Sequence, residues 1–216
     1  MVGDGSSELC DPGSDHIREE RSLRISLPCD IMRKTLIEGE CEKMQYEYAN
    51  GIGQDSHRFM QPCEAQLKTA DKWPKKLILG GVLFEDETPL VANSDGDAIL
   101  HALTNAISGV SGVNILGAIA DQMCENGITD SSEYLKKSLS FAQDKGWELT
   151  HISISIEAMR PKMTPKIGPM KVRIGELTGL DPERIGITAT SGEKLTRFGE
   201  GEGIMVIASV TMRRPE

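Results

Sequence analysis

Aromatic residues, paired cysteines and long apolar runs are all scarce in this sequence of 216 residues. Phe, Trp and Tyr together make up 4% of the chain, so its core must be built from aliphatic side chains and methionine. The five cysteines are odd in number, scattered and without a Cys-x-x-Cys pair, which argues against a disulfide framework or a cysteine zinc site and favours a reducing compartment. No apolar run approaches the ~20 residues of a membrane span, and the N-terminus lacks the layout of a secretory signal.

Positive charge is also in short supply. Lys and Arg number 24 against 33 Asp and Glu, and the net charge of −9 argues against a nucleic-acid or anionic-membrane partner. An acidic protein that binds phosphate must do so locally, with metal ions, backbone N–H groups and a few cations. We therefore expect a soluble intracellular protein with no nucleic acid and no membrane among its partners.

The composition and the apolar pattern of the sequence divide the chain into two parts. Residues 1–47 are polar, mixed in charge and without a sustained apolar period, so they are predicted to be a poorly ordered N-terminal extension with a weak helical signal at 30–43. Residues 48–214 are predicted to form a single small α/β domain, a mixed sheet with helices packed on one face. Strands are predicted at 46–52, 76–84, 151–158, 185–189 and 204–210, and helices from about 97 to 108, 131 to 145 and 166 to 178.

Two histidines stand in polar settings rich in aspartate. Asp55 and His57 lie two residues apart in the segment that the predicted strand 46–52 leads into. In a strand conformation their side chains point to the same face, about 6–7 Å apart. His101 follows Asp97 by one helical turn, and a surface histidine paired with that carboxylate is the competing interpretation. One Asp and two His complete a three-ligand zinc site that leaves a position open for water or substrate.

A second group of chemically useful residues runs from Thr190 to Lys194 after a predicted strand. Its hydroxyls and glycine can present donors to phosphate oxygens, and Glu193 can hold Mg²⁺ together with substrate phosphates. A plain turn is the alternative, and the spacing of a Walker loop is absent. The glycines at 51–53 and 199–203 are interpreted as turn geometry, because neither set matches a dinucleotide fingerprint.

Taken in chain order, these motifs resemble the 2-C-methyl-D-erythritol 2,4-cyclodiphosphate synthase family over about residues 48–212. The matching segments are Asp-x-His at 55–57, Asn-Ser-Asp-Gly-Asp-x-x-x-His-Ala-Leu-Thr at 93–104, Arg-Pro-Lys-Met at 160–163, Ala-Thr-Ser-Gly-Glu-Lys-Leu at 189–195 and Gly-Glu-Gly at 201–203. The Ser-Asp-Gly-Asp-x-x-x-His-Ala segment is the most specific of them.

The resemblance implies an assembly and two kinds of metal ion. The subunit is expected to form a homotrimer with a β-rich interior and active sites between subunits. One Zn²⁺ per subunit is implied at Asp55, His57 and His101, and Mg²⁺ or Mn²⁺ is implied at Glu193 through the substrate diphosphate. The location implied is cytoplasmic, or plastid in a eukaryote.

The resemblance also assigns the remaining site residues. Asn93 and Ser191 take catalytic positions, as donors to the developing charge. Substrate-binding positions are implied for a further set, which comprises Ser94, Lys162, Met163, Thr190, Gly192, Arg197 and Asp121.

Several of these positions depart from the family pattern. Asn93 stands where a His is common, and its residue type would equally suit a helix N-cap; Ser191 stands where a Thr is common. The Phe-Pro-Asp-Thr-Asp loop that orients the sugar-alcohol part is missing after residue 117, where Asp121 is a substitute. Glu200 replaces a customary Arg, with Arg197 three residues earlier.

The implied reaction converts 4-diphosphocytidyl-2-C-methyl-D-erythritol 2-phosphate to 2-C-methyl-D-erythritol 2,4-cyclodiphosphate with release of CMP, in non-mevalonate isoprenoid precursor synthesis. This is the activity of a metal-dependent phosphorus–oxygen lyase. The 2-phosphate oxygen is already an anion, so positioning and charge stabilisation suffice without a protein base. The alternatives are a zinc-dependent phosphate ester hydrolase, with Asp97 as base, and a non-catalytic nucleotide-binding trimer.

Overall fold

Six strands and four α-helices lie within residues 44–62 and 76–216, which are the residues that the computed structural model describes. The strands are β1 (Tyr46–Arg58), β2 (Leu77–Leu79), β3 (Val82–Phe84), β4 (Glu148–Glu157), β5 (Ile185–Thr190) and β6 (Gly203–Pro215). The helices are α1 (Ala98–Ser111), α2 (Ala118–Glu125), α3 (Ser131–Gln143) and α4 (Thr164–Thr178). None of the helices in this described part is long and apolar enough to cross a membrane.

Four of the strands form one mixed sheet in the order β1-β6-β4-β5. Strand β6 is antiparallel to both β1 and β4, whereas β5 runs parallel to β4. Strands β2 and β3 form a separate hairpin, which turns at Gly80 and Gly81 with φ of 59° and 71°. The predicted α/β class and mixed sheet are confirmed.

The core is aliphatic, as the scarcity of aromatic residues predicts. Alternate residues of β6 and β4 point to one face of the sheet and are almost fully buried there. They are Ile152, Ile154, Ile156, Ile204, Val206, Ala208, Val210 and Met212. Helix α1 covers this face at β1 and β6 and contributes Ala102, Leu103 and Ala106 to the same core.

Gly51 and Gly53 bring β1 into direct contact with α1. A Cβ atom at Gly53 would lie 2.1 Å from the carbonyl oxygen of Ala102, and one at Gly51 would lie 2.0 Å from that of Ala106. The prediction that these glycines form a turn is wrong, because both lie inside β1 and are paired with β6. Their lack of a side chain lets the strand approach the helix closely, two residues before Asp55.

Replacing Gly53 with alanine should therefore destabilise the domain. Overpacking of this kind costs about 1–3 kcal/mol, and each kcal/mol lowers the melting temperature by roughly 2–4 °C in a chain of this size. Gly109→Ala is the matched control, because it lies in α1 where the nearest atom to a new Cβ is 3.8 Å away. Helix propensity predicts that the control is stabilised by up to about 1 kcal/mol. Calorimetry that finds Gly53→Ala as stable as the parent would contradict the close contact.

Several boundaries differ from the sequence predictions. Strand β1 continues to Arg58 and β6 to Pro215, because the two strands pair with each other along their whole lengths. Helix α2 was not predicted; its buried Ala120 packs with Ile115 and Tyr134 in a second small cluster. The predicted extension, residues 1–47, lies outside the described residues except for 44–47, so it stays a prediction.

Candidate metal centre and phosphate-binding loop

The carboxyl-terminal end of β1 supplies two of the three predicted metal ligands. Asp55 and His57 point to the same side of the strand, and both side chains are about four-fifths buried. One oxygen of Asp55, Oδ2, lies 3.0 Å from His57 Nε2. The period of two in a β-strand thus places both side chains as the sequence predicted.

Helix α1 supplies the third ligand. His101 begins the second turn of this helix and is 7% exposed. Its Nδ1 lies 3.2 Å from Asp55 Oδ2 and 3.4 Å from His57 Nε2. Three potential ligand atoms from β1 and α1 therefore form a triangle with sides of 3.0, 3.2 and 3.4 Å.

This triangle fits a tetrahedral metal ion. Zinc bound at about 2.0–2.1 Å in tetrahedral geometry has its ligand atoms roughly 3.3 Å apart, close to the separations found here. Two imidazole nitrogens and one carboxylate oxygen are zinc ligands, and three protein ligands leave a fourth position open. Among residues 44–62 and 76–216, this is the one group of three or more such side chains whose ligand atoms lie close enough together.

The outer nitrogen of each ring lies within hydrogen-bond distance of a partner. His57 Nδ1 lies 2.9 Å from the carbonyl oxygen of Val91, which can only accept, so the N–H is on Nδ1 and the lone pair of Nε2 faces the triangle. His101 Nε2 lies 2.9 Å from Ser131 Oγ and 3.2 Å from Ser94 Oγ. In His57 the inward nitrogen is thus the one suited to bind a metal.

The electrostatics of the triangle also favour a cation. Burial alone would raise the pKa of the Asp55 carboxyl, but the nearby rings of His101 and His57 hold that pKa well below its usual range. Burial tends to lower the pKa of His57, and the carboxylate of Asp55 outweighs it, so the pKa is raised. Asp55 is therefore an anion at neutral pH, which is the state that binds a metal.

Asp97 has a structural role. Its two carboxylate oxygens accept hydrogen bonds from four backbone N–H groups, those of Gly80, Gly81, Ile99 and Leu100, at 2.6–3.1 Å. Burial raises the pKa of Asp97 to about 6, against the effect of these N–H groups. The side chain is fully buried, so it has no access to a water molecule. The interpretations of Asp97 as a surface partner of His101 and as a hydrolytic base are both wrong.

The loop after β5 has the backbone shape of an anion site. Ser191 is in the right-handed helical region and Gly192 in the left-handed region, with φ of −75° and 70°. Successive N–H groups in that arrangement form a concave nest for anions. Gly192 is also favoured sterically, because a Cβ there would lie 2.9 Å from the backbone Cα of Gly199. Ser191 Oγ donates to Glu193 Oε1 at 2.8 Å, which holds that exposed carboxylate over the loop.

The other predicted site residues lie in several separate segments. Ser94 is buried beside His101, and Asn93 is exposed next to it. Thr190 ends β5, where its Oγ1 lies 3.3 Å from the amide of Gly192. The remaining ones are Lys162, which is exposed, Met163, which is buried before α4, Arg197, which pairs with Glu202 at 2.6 Å, and Asp121, which is exposed in the first turn of α2.

Sequence reasoning missed the partners that orient His101. Ser131 begins α3, and its hydroxyl also donates to Asp95. The segment 130–131 was recognised only as a helix start, for which Asp130 is indeed the N-cap. The sequence around Ser131 contains no pattern that predicts its contact with His101, thirty positions earlier.

A sequence profile of the YgbB family matches residues 48–213. The chain belongs to this family. Several relatives of this YgbB family member have a named activity.

One such relative is the 2-C-methyl-D-erythritol 2,4-cyclodiphosphate synthase of Chlamydia muridarum. It is 41% identical over 169 residues, which cover 78% of this chain and 89% of the relative. Among solved structures, the bifunctional IspDF from Campylobacter jejuni superposes with a TM-score of 0.67 at 32% identity, over 79% of this chain and 43% of that longer protein. A 2C-methyl-D-erythritol-2,4-cyclodiphosphate synthase in its CDP-bound form superposes with a TM-score of 0.63 at 26% identity, over 76% and 99% of the two chains.

Proposed function

We propose that this protein is a 2-C-methyl-D-erythritol 2,4-cyclodiphosphate synthase of the non-mevalonate route to isoprenoid precursors. It converts 4-diphosphocytidyl-2-C-methyl-D-erythritol 2-phosphate to the cyclic diphosphate and CMP, as a metal-dependent lyase. The observation that carries the proposal is the ligand triangle of Asp55, His57 and His101 in a YgbB family chain. The named activity of relatives at 41% identity and the CDP-bound structure of another support the same substrate class.

The residues present fit two metal ions. Zn²⁺ would be held by Asp55, His57 and His101, and Mg²⁺ or Mn²⁺ by Glu193 together with the substrate diphosphate. When bound, these ions would polarise the phosphate oxygens and neutralise the charge on the leaving CMP. Glu193 suits this role because its carboxylate is exposed and oriented by Ser191.

The protein's own contribution is to position the substrate and to donate hydrogen bonds. The backbone N–H groups of the nest at 191–192 can donate to diphosphate oxygens, and Asn93 can donate its amide N–H₂ to the phosphate that is attacked. Lys162 adds a positive charge from the loop before α4. No side chain needs to remove a proton, because the attacking 2-phosphate oxygen is already an anion at neutral pH.

Helix α2 occupies the stretch where the sugar-alcohol loop of the family is missing. Its Cys124 thiol donates to the carbonyl oxygen of Asn93 at 3.9 Å, so the helix lies beside the exposed Asn93. Asp121 lies one turn earlier on this helix and is exposed. Asp121 would bind the hydroxyl groups of the sugar-alcohol part in place of the missing loop.

The geometry of one subunit favours an active site shared between subunits. The strand register places His57 of β1 opposite Ile204 of β6. The next residue of β6, Met205, lies opposite Glu157 of β4, and Glu157 lies opposite Thr190 of β5. The metal triangle and the Thr190 loop therefore lie at the same end of the sheet but on opposite edge strands, about 14 Å apart across three strand spacings. Two metal ions that act on one phosphoryl group lie about 3.5–4 Å apart. A second copy of the chain would bring its Glu193 loop to the first copy's metal triangle.

The face of the sheet opposite α1 favours the same assembly. It carries Ile52, which is 74% exposed, together with the half-buried Met205 and Ile207. An exposed aliphatic patch on a central sheet is typical of a protein interface. We infer a homotrimer in which these sheets face one another, with cytosolic or plastid location according to the organism.

Substitution of Asn93 tests its proposed role as a donor. Asn93→Ala should lower turnover by about 10²–10³-fold, which is the usual cost of removing a preorganised donor, with a much smaller change in substrate affinity. Capping of α1 by Asn93, the competing interpretation, is excluded because Asp97 is the N-cap. Asn93 is exposed, so the melting temperature should stay unchanged.

Asn93→His is the matched variant and should keep appreciable activity, because an N–H donor remains. Single-turnover kinetics on both variants measure the effect. Full activity of folded Asn93→Ala would remove Asn93 from the mechanism.

A product analysis tests the function itself. The full-length protein, incubated with substrate, Zn²⁺ and Mg²⁺, should release CMP and the cyclic diphosphate in equal amounts. Release of linear phosphate products would indicate the hydrolase, and nucleotide binding without turnover would indicate a binding protein.

A further inference from the structure

The outer nitrogen of His101 leads into a chain of hydrogen bonds that runs away from the metal triangle. His101 Nε2 lies 2.9 Å from Ser131 Oγ, and Ser131 Oγ in turn donates to Asp95 Oδ1. The backbone N–H of Ser131 donates to the other oxygen of Asp95 at 3.1 Å. Ser131 is fully buried, and His101 and Asp95 together satisfy its hydroxyl.

The direction of this chain follows from its chemistry. An ionised carboxylate can only accept, so the hydroxyl hydrogen of Ser131 is committed to Asp95. The lone pairs of Ser131 Oγ then face His101, and the ring must carry its N–H on Nε2 in order to donate to them. Nδ1 is left with a free lone pair, and Nδ1 is the atom that lies in the triangle with Asp55 and His57.

We infer that Ser131 and Asp95 are positioning residues for the metal site, which set the tautomer and the ring orientation of His101 and thereby its affinity for the ion. This inference rests on the proposed metal site. Partners of this kind typically change metal affinity by 10–100-fold when they are removed. The two histidines differ in this respect, because His57 is oriented by the backbone carbonyl of Val91 and His101 by side chains.

Ser94 is the other hydroxyl within reach of His101 Nε2, at 3.2 Å. Its oxygen also accepts from the amide of Gly96 at 3.3 Å, and it has no carboxylate behind it. Ser131 is closer and is held on two sides by Asp95, whose own N–H donates to the carbonyl of Thr129 at 2.9 Å. The geometry therefore assigns the larger effect to Ser131.

The test measures zinc affinity without turnover. Full-length protein is stripped of metal, and its Zn²⁺ affinity is determined by competition with a chromophoric chelator at one neutral pH. Ser131→Ala and Asp95→Ala should each weaken zinc binding by about 10–100-fold, and Asp95→Asn should recover part of the loss because its amide oxygen still accepts. Ser138→Ala is the matched control, since Ser138 is a fully buried serine of α3 whose hydroxyl bonds to the Leu135 carbonyl in its own helix.

The tautomer of His101 is a second readout that general destabilisation would not move. Nitrogen NMR of the metal-free, histidine-labelled protein should show the N–H on Nε2 in the parent chain and in Ser138→Ala. In Ser131→Ala a share of the ring should carry its N–H on Nδ1, where Asp55 can accept it. Ser131→Cys, which keeps the volume but is a weak acceptor, carries the test if the alanine variant does not fold.

The outcomes separate this inference from the metal site itself. Parent protein that binds no zinc would overturn the proposed site, whatever the variants do. Tight binding by the parent, together with unchanged affinity and an unchanged tautomer in Ser131→Ala, would overturn the role of Ser131. An equal loss in Ser138→Ala would also overturn it, because the effect would then be one of packing.

Discussion

His101→Ala is expected to lose both tight zinc binding and turnover. The substitution removes one of three ligands and leaves Asp55 and His57, which cannot by themselves enclose the ion. A metal that polarises a phosphoryl oxygen contributes several kcal/mol to the transition state, so turnover should fall by at least about 10³-fold. Metal content by elemental analysis and the rate of CMP release measure the two effects.

The fold should survive this substitution, because the core under α1 is formed by other residues such as Leu100 and Leu103. His151→Ala is the matched control, since His151 is exposed on β4 and lies outside the metal triangle. It should keep both zinc and turnover. A His101→Ala protein that is free of metal and fully active would end the account of the metal centre.

The second large effect is expected when two inactive variants are combined. His101→Ala removes the metal triangle and Glu193→Ala removes the opposite loop, so each variant alone should be inactive. If every active site takes its triangle from one subunit and its loop from another, a random mixed trimer regains intact sites. In every trimer that contains both variants, one of the three sites then has both parts intact, so about a third of the parent activity should return.

The experiment requires mixed assemblies of known composition. The two variants are co-expressed with different affinity tags, and trimers that carry both tags are purified; their mass should be about 71 kDa, three times the subunit mass of 23.6 kDa. Trimers of a single variant serve as controls and should stay inactive. Mixed trimers without any recovered activity would show that one subunit supplies both parts of the site.

The metal triangle could be predicted from the sequence because each of its parts depends on short-range geometry. Asp55 and His57 share a face through the period of two in a strand, and the motif around His101 identified its helix. The same local signals misled at Gly51 and Gly53. A glycine is equally typical of a turn and of a strand that packs closely against a helix. Only the pairing of β1 with β6 shows that these glycines belong to a strand.

The surroundings of the triangle could not be predicted because they depend on tertiary contacts. Asp97 has the residue type of a base, yet its carboxylate oxygens accept hydrogen bonds from the backbone N–H groups of the hairpin turn at Gly80 and Gly81. Ser131 reaches His101 because α3 packs against α1. Helix α2 replaces a family loop, so the family pattern gave no basis for predicting it.

In the proposed reaction the substrate's own phosphate, and not water, attacks the diphosphate. Reaction in water enriched in ¹⁸O tests it directly, with mass spectrometry of both products. Neither CMP nor the cyclic diphosphate should acquire ¹⁸O, because every oxygen in them comes from the substrate. Incorporation of one ¹⁸O atom into CMP or into a linear phosphate product would show that water is the nucleophile and that the protein is a hydrolase.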